Sequence, residues 1–128
     1  MVFLLDTHIL LWALDSPRRL PRDIAAQITS PETTVYFSAA NIWEIAIKTV
    51  LGKIDFPYSP EDIAQAARDT DFIELPVSAT HATKVAHLPL HHRDPFDRIL
   101  IAQALLMPAQ LLTADSALTP YSELVRRI

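Results

Sequence analysis

The chain has 128 residues, half of them hydrophobic, with no cysteine, one glycine and a net charge of −4. A chain of this length makes one domain with an ordinary apolar core. The lack of cysteine excludes disulfides, a thiol nucleophile, a thiolate zinc site and an iron–sulfur cluster, and the single glycine, Gly52, excludes glycine-rich nucleotide cradles. The 15 acidic against 11 basic residues leave no basic footprint of the kind that usually marks a nucleic-acid-binding surface.

Residues 2–5 form a short continuous apolar run, the pattern of a strand buried on both faces, and Asp6-Thr7 reads as the N-cap of a helix over 9–14. Asp6 and His8 interrupt this apolar opening, no basic residues precede it, and it falls short of the roughly 20 apolar residues that span a membrane. The expectation is a cytoplasmic chain with no membrane partner. Residues 21–29 read as a helix with proline in its first turn, 33–37 as a β-branched and aromatic strand, and 39–50 as a helix capped by Ser38 and stopped at Gly52. A helix follows from Ser59-Pro60 to about 68, then a strand over 72–75 and a weakly helical stretch over 78–86. Asp94-Pro95 opens a helix to about 106, residues 110–113 form a fourth strand, and 123–127 supply a candidate fifth. Strands alternating with helices imply an α/β sandwich built on a parallel sheet covered on both faces.

Ligands of such sheets bind beyond the carboxyl ends of the strands, and acids collect there. Asp6 closes the first strand and Asp115 follows the fourth. On the helix opened by Pro95, Leu100, Ile101 and Ala104 stand at i+3, i+4 and i+7 from Asp97, which places this acid on the core-facing stripe. Glu44 lies beside a stripe of Trp43, Ala46, Ile47, Val50 and Leu51, expected to face the core. Four converging carboxylates repel one another unless cations hold them, and oxygen-only donors select Mg²⁺ or Mn²⁺. Each acid also has a structural reading. Asp6 and Asp115 cap helices, Asp97 complements a helix N-terminus capped by Asp94, and Glu44 pairs with Lys48 at i+4 on an exposed face.

Four stretches carry a family likeness: Leu4-Leu5-Asp6-Thr7-His8, the run from Ser38 to Lys48, His91-His92-Arg93-Asp94-Pro95-Phe96-Asp97-Arg98 with the helix after it, and Leu111-Leu112-Thr113-Ala114-Asp115. Through them nearly the whole chain resembles the PIN-domain nucleases, and among these the VapC toxins of type II toxin–antitoxin pairs. The resemblance implies one PIN-like domain over residues 1–128, a three-layer α/β/α sandwich with a central, mostly parallel sheet of four to five strands. It implies an Mg²⁺- or Mn²⁺-dependent endoribonuclease that hydrolyses RNA with a metal-activated water, leaving 5′-phosphate and 3′-hydroxyl ends. The family's acidic quartet falls on Asp6, Glu44, Asp97 and Asp115 as metal ligands and catalytic residues. Thr7 and Thr113 are expected to hydrogen-bond those carboxylates, Asp94 to cap its helix or stand at the metal's outer shell, and Arg93 and Arg98 to touch the RNA backbone. A VapB-type antitoxin with a basic blocking side chain is the implied partner. The family commonly forms homodimers, with 9–14 and 61–68 as contact segments. His8, His91 and His92 read as solvated loop residues rather than zinc ligands, and Trp12 and Trp43 as core or interface.

Rival readings fit less well. A receiver domain needs an acceptor Asp after a middle strand and a Lys after the last, whereas no lysine follows Lys84; an aspartate-nucleophile phosphatase wants an acid where His8 stands. A housekeeping RNA-processing nuclease of the same fold remains the alternative, as does a non-catalytic interaction domain, which leaves acids on apolar stripes unexplained.

Overall fold

The computed structural model describes residues 1–53 and 58–128. Its strands are β1 (Val2–Leu5), β2 (Thr34–Ser38), β3 (Ile73–Leu75), β4 (Gln110–Thr113) and β5 (Val125–Arg127). They form one sheet in the order β3-β2-β1-β4-β5, and every neighbouring pair is parallel. The expected mostly parallel sheet of four to five strands is therefore a wholly parallel one of five. Parallel neighbours need crossovers, supplied by helices α1 (Thr7–Asp15), α2 (Arg22–Thr29), α3 (Ala39–Val50), α4 (Pro60–Asp69), α5 (Ala79–Val85) and α6 (Pro95–Leu106).

The central strand shows why the sheet sits in the middle layer. Phe3, Leu4 and Leu5 are all fully buried, and successive side chains enter opposite cores. Phe3 and Leu5 join Val35, Phe37 and Leu112 under Ile9, Leu10, Ile24, Ile28, Ile45 and Ile63, so α1 to α4 cover this face. Leu4 joins Leu111, Leu100, Ile101 and Ala104 on the other, covered by α6 with Val85 of α5 packed at its side.

Two departures from expectation are local. Pro21 precedes α2 as its N-cap rather than sitting in its first turn, and a 3-10 turn at Pro17–Arg19 joins α1 to α2. A second 3-10 turn, Ser116–Tyr121, begins at Asp115 and contains Pro120. Gly52 ends α3 at φ 66°, where a side chain would be strained, so the one glycine lies where the backbone requires it. Among the described residues no helix is long and apolar enough to cross a membrane.

From β1 the chain steps to β2 and β3 on one side and returns to place β4 and β5 on the other. The winding direction therefore reverses between β1 and β4, which opens a crevice beyond their carboxyl ends.

Candidate active site

Asp6 and Asp115 flank that reversal. Asp6 is the N-cap of α1 and is almost completely buried; its Oδ1 accepts from Ile9 N at 2.9 Å and its Oδ2 from Thr113 Oγ1, a bond spanning 107 positions in sequence. Thr113 Oγ1 also accepts from Asp115 N at 3.0 Å, which fastens the ends of β1 and β4 side by side. Burial raises the Asp6 pKa above the carboxylate norm, against the opposing bonds from Thr113 and Ile9. Asp115 is exposed and caps the second 3-10 turn through Ala117 N at 2.9 Å.

The third acid arrives on α3 by an unexpected orientation. Ala40, Asn41, Glu44 and Ile45 are the buried residues of this helix, whereas Trp43, Val50 and Leu51 are exposed, so the apolar stripe expected to face the core faces outward. Glu44 points inward because polar groups receive it. Thr7 Oγ1 donates to its Oε1 at 2.7 Å, and Lys48 Nζ donates to its Oε2. Thr7 Oγ1 accepts in turn from Asn41 Nδ2 at 3.1 Å, and Asn41 Oδ1 accepts from Ser38 N at 2.7 Å, so the cap of α3 and the carboxylate share one network. The i+4 pair of Glu44 and Lys48 exists, but its acid is buried rather than exposed. This hydrogen bond raises the Lys48 pKa.

Asp97 sits in the first turn of α6, above the buried Leu100, Ile101 and Ala104. Its Oδ2 lies 2.8 Å from His92 Nε2. Burial, then the charge of Asp94, push its pKa up to about 6, with Glu44 adding to the rise and His92 opposing it. Asp94 is the N-cap of α6: Oδ1 accepts from Phe96 N at 2.9 Å and from Asp97 N at 3.2 Å.

A single cavity of about 490 Å³ is walled by Asp6, Glu44, Asp94, Asp97 and Asp115, with His8, Lys48 and His92 also on its surface. The donor set fits a hard divalent cation. Carboxyl oxygens come from five positions, and the two acids raised by burial, Asp6 and Asp97, have no Lys or Arg partner among the described residues. Among the described residues, the group of three whose donor atoms are close enough to share an ion is His92, Asp94 and Asp97, within 4.8 Å of one another.

Two expectations need correcting. The Arg98 guanidinium does not face the cavity as a phosphate ligand. Nη1 donates to Pro89 O (3.0 Å), Tyr121 Oη (3.0 Å) and His92 O (3.3 Å), and Nη2 to Val85 O (3.0 Å) and Leu88 O (3.5 Å). It ties the segment after α5 to α6. Of the two places expected for Trp43, core or interface, the core is overturned: Trp43 is 60 % exposed and meets Phe96 edge-on at 5.0 Å. Arg93 is exposed beside an apolar groove between α3, α5 and α6, lined by Trp43, Val77, Val85 and Ile99. Trp12 is partly buried against the first core, with Arg19 over its ring.

Sequence reasoning assigned no site role to His92, Lys48 or Asn41. The last two stand at i+4 and i−3 from Glu44, a spacing that marks neighbours on one helical face. Nothing in the sequence separates His92 from His91, whose ring packs edge-on against Tyr121 instead.

Carboxylates thus gather at the switch point of a parallel α/β sheet, in the crevice beyond the carboxyl ends of its strands. The family model described as PIN domain matches residues 3–123, and the chain belongs to that family. Among solved structures it is similar to a chain of the crystal structure of VapBC2 from Rickettsia felis bound to a DNA fragment from their promoter. The TM-score is 0.62 at 15 % identity, covering 90 % of this chain and 88 % of that one. No curated protein matches the sequence.

Proposed function

We propose that this chain is a single-domain, divalent-metal-dependent endoribonuclease, the VapC-type toxin of a type II toxin–antitoxin pair acting in the cytoplasm. The observation that carries the reading is the convergence of Asp6, Glu44, Asp97 and Asp115 on one cavity at the reversal of the sheet. These four would hold Mg²⁺ or Mn²⁺, with Asp94 at the edge of the same group. When bound, the cation supplies Lewis acidity, lowering the pKa of a water and taking up negative charge at a phosphate.

The protein's own contribution is to hold carboxylates where water alone would scatter them. Ile9 N and Thr113 fix both oxygens of Asp6, and Thr7 and Lys48 fix those of Glu44. Asp94 closes the first turn of α6 so that Asp97 projects beside His92. Arg93, exposed near the rim, is the candidate contact to the RNA backbone.

Toxin rather than housekeeping enzyme is favoured by the likeness to a chain of a VapBC2 complex and by the apolar surface beside the cavity. Trp43, Val50 and Leu51 are exposed on α3, and the groove next to them reaches Arg93 and Arg98. A VapB-type antitoxin or a second copy in a homodimer would cover such a surface.

Cleavage of cellular RNA by the purified chain, with Mg²⁺ or Mn²⁺ and with ends sequenced, tests the proposal. Asp6→Asn and Asp97→Asn should each lower cleavage on the order of a thousandfold, because several kcal/mol of charge stabilisation are removed. An amide at position 6 still accepts from Ile9 N, so Asp6→Asn should stay folded where Asp6→Ala also loses the cap. Equal cleavage by the Asn variants would end the catalytic reading. Normal growth on expression of the active chain would favour the housekeeping alternative.

A further inference from the structure

Resting on the reading of the acidic cavity as a metal site, we propose that His92 is a nitrogen ligand beside Asp97 and biases the site toward Mn²⁺ over Mg²⁺. Three observations carry this.

The donor atoms are already spaced for one ion. His92 Nε2 and Asp97 Oδ2 share a hydrogen bond at 2.8 Å, which holds the two donors side by side. Neighbouring donors in an octahedral shell at ~2.1 Å from the ion lie about 3 Å from each other. Both hydrogen bonds of Asp94 fall on Oδ1, which leaves Oδ2 outside the cap, and donor atoms of all three side chains lie within 4.8 Å.

The main chain at position 92 is held on both sides. Its N–H donates to Tyr121 Oη at 2.8 Å, and its carbonyl accepts from Arg98 at 3.3 Å. Arg98 also fastens Val85, Leu88 and Pro89, so the segment that carries His92 is tied back to α6. Arg98 thereby acts on the cavity as a positioning residue.

The paired histidines are sorted. His91 packs against Tyr121 at 5.0 Å while His92 turns to the acids. A segment placed only to connect α5 and α6 has no use for this division of two adjacent rings.

Mg²⁺ is the harder ion and takes oxygen donors and water, whereas Mn²⁺, a transition metal, accepts an imidazole nitrogen more readily, so a mixed set discriminates between the two where an all-oxygen set would not. Of the two histidines on the cavity, His8 on α1 stands near Asp6 and is the natural control.

The experiment is pulsed electron paramagnetic resonance of Mn²⁺ on the untagged full chain, with calorimetric titration of Mn²⁺ and Mg²⁺ in parallel. The expected result is a nitrogen modulation from one coordinated imidazole that persists in His8→Asn and vanishes in His92→Asn. In that last variant Mn²⁺ affinity should fall about tenfold, with a smaller change for Mg²⁺. If His92→Asn folds poorly, a nitrogen modulation that persists in His8→Asn still assigns the ligand to His92. Mn²⁺ binding that is lost in Asp6→Asn but shows no imidazole nitrogen, or a nitrogen lost only with His8, overturns the assignment and leaves the acidic site standing. Failure of the wild-type chain to bind Mn²⁺ at all overturns both.

Discussion

Helices α3 and α6 each deliver one acid to the same cavity, and they do so in opposite ways. On α6 the carboxylate of Asp97 continues an apolar face, with Leu100, Ile101 and Ala104 buried behind it. On α3 the buried face is the polar one, Asn41 and Glu44 held by Thr7 and Lys48, while Trp43, Val50 and Leu51 face outward. An acid can thus be seated partly buried over apolar neighbours, with its pKa raised, or almost completely buried among donors that satisfy it. Asp97 shows the first and Glu44 the second.

The contrast fails if truncation on the two helices has similar effects. Ile101 is fully buried in the core under α6, and Ile101→Ala should lower the unfolding free energy by about 2–5 kcal/mol in urea titrations. The pH dependence is expected to come next in size. Folded Asp97 titrates at about 6 against an ordinary 3.8, so between those values the folded chain holds a proton that the unfolded chain has lost. Stability from this group is therefore greatest below about pH 4 and falls by about 3 kcal/mol as pH rises to 6 in metal-free buffer. Asp6 pushes in the same direction. Urea midpoints across this range should flatten in Asp97→Asn, and added Mn²⁺ at neutral pH should restore stability. The smallest effect belongs to α3: Val50 is 86 % exposed, and Val50→Ser should change stability by no more than about 0.5 kcal/mol. A larger loss in the isolated chain would mean that this face is already covered, for example by a second copy.

The alternation of strands and helices was legible because prolines and caps punctuate the chain and because β1 is apolar on both faces. The inward placement of Asp97 was legible as well, since its helix buries what its periodicity says it should. For α3 the same reasoning led to the right acid through the wrong face. A helical wheel reports which residues share a side, and only tertiary partners decide which side is covered. The tertiary partner of Glu44 is Thr7, 37 positions away, a distance invisible to local pattern. The role of Arg98 was hidden for a related reason. Its acceptors are mostly main-chain carbonyls of the preceding segment, which exist as a set only once that segment folds back on α6.

The bond from Thr113 to Asp6 has a consequence for the order of synthesis. Once made, β1 can pair with β2 after some thirty further residues, but its other edge waits for β4. At roughly 5–20 residues per second, that wait lasts on the order of five to twenty seconds. During it Asp6 lacks the hydroxyl that holds it, and Asp97 and Asp115 are made only 91 and 109 residues after it. A site built on these acids is thereby kept incomplete until β4 and the residues after it have been made.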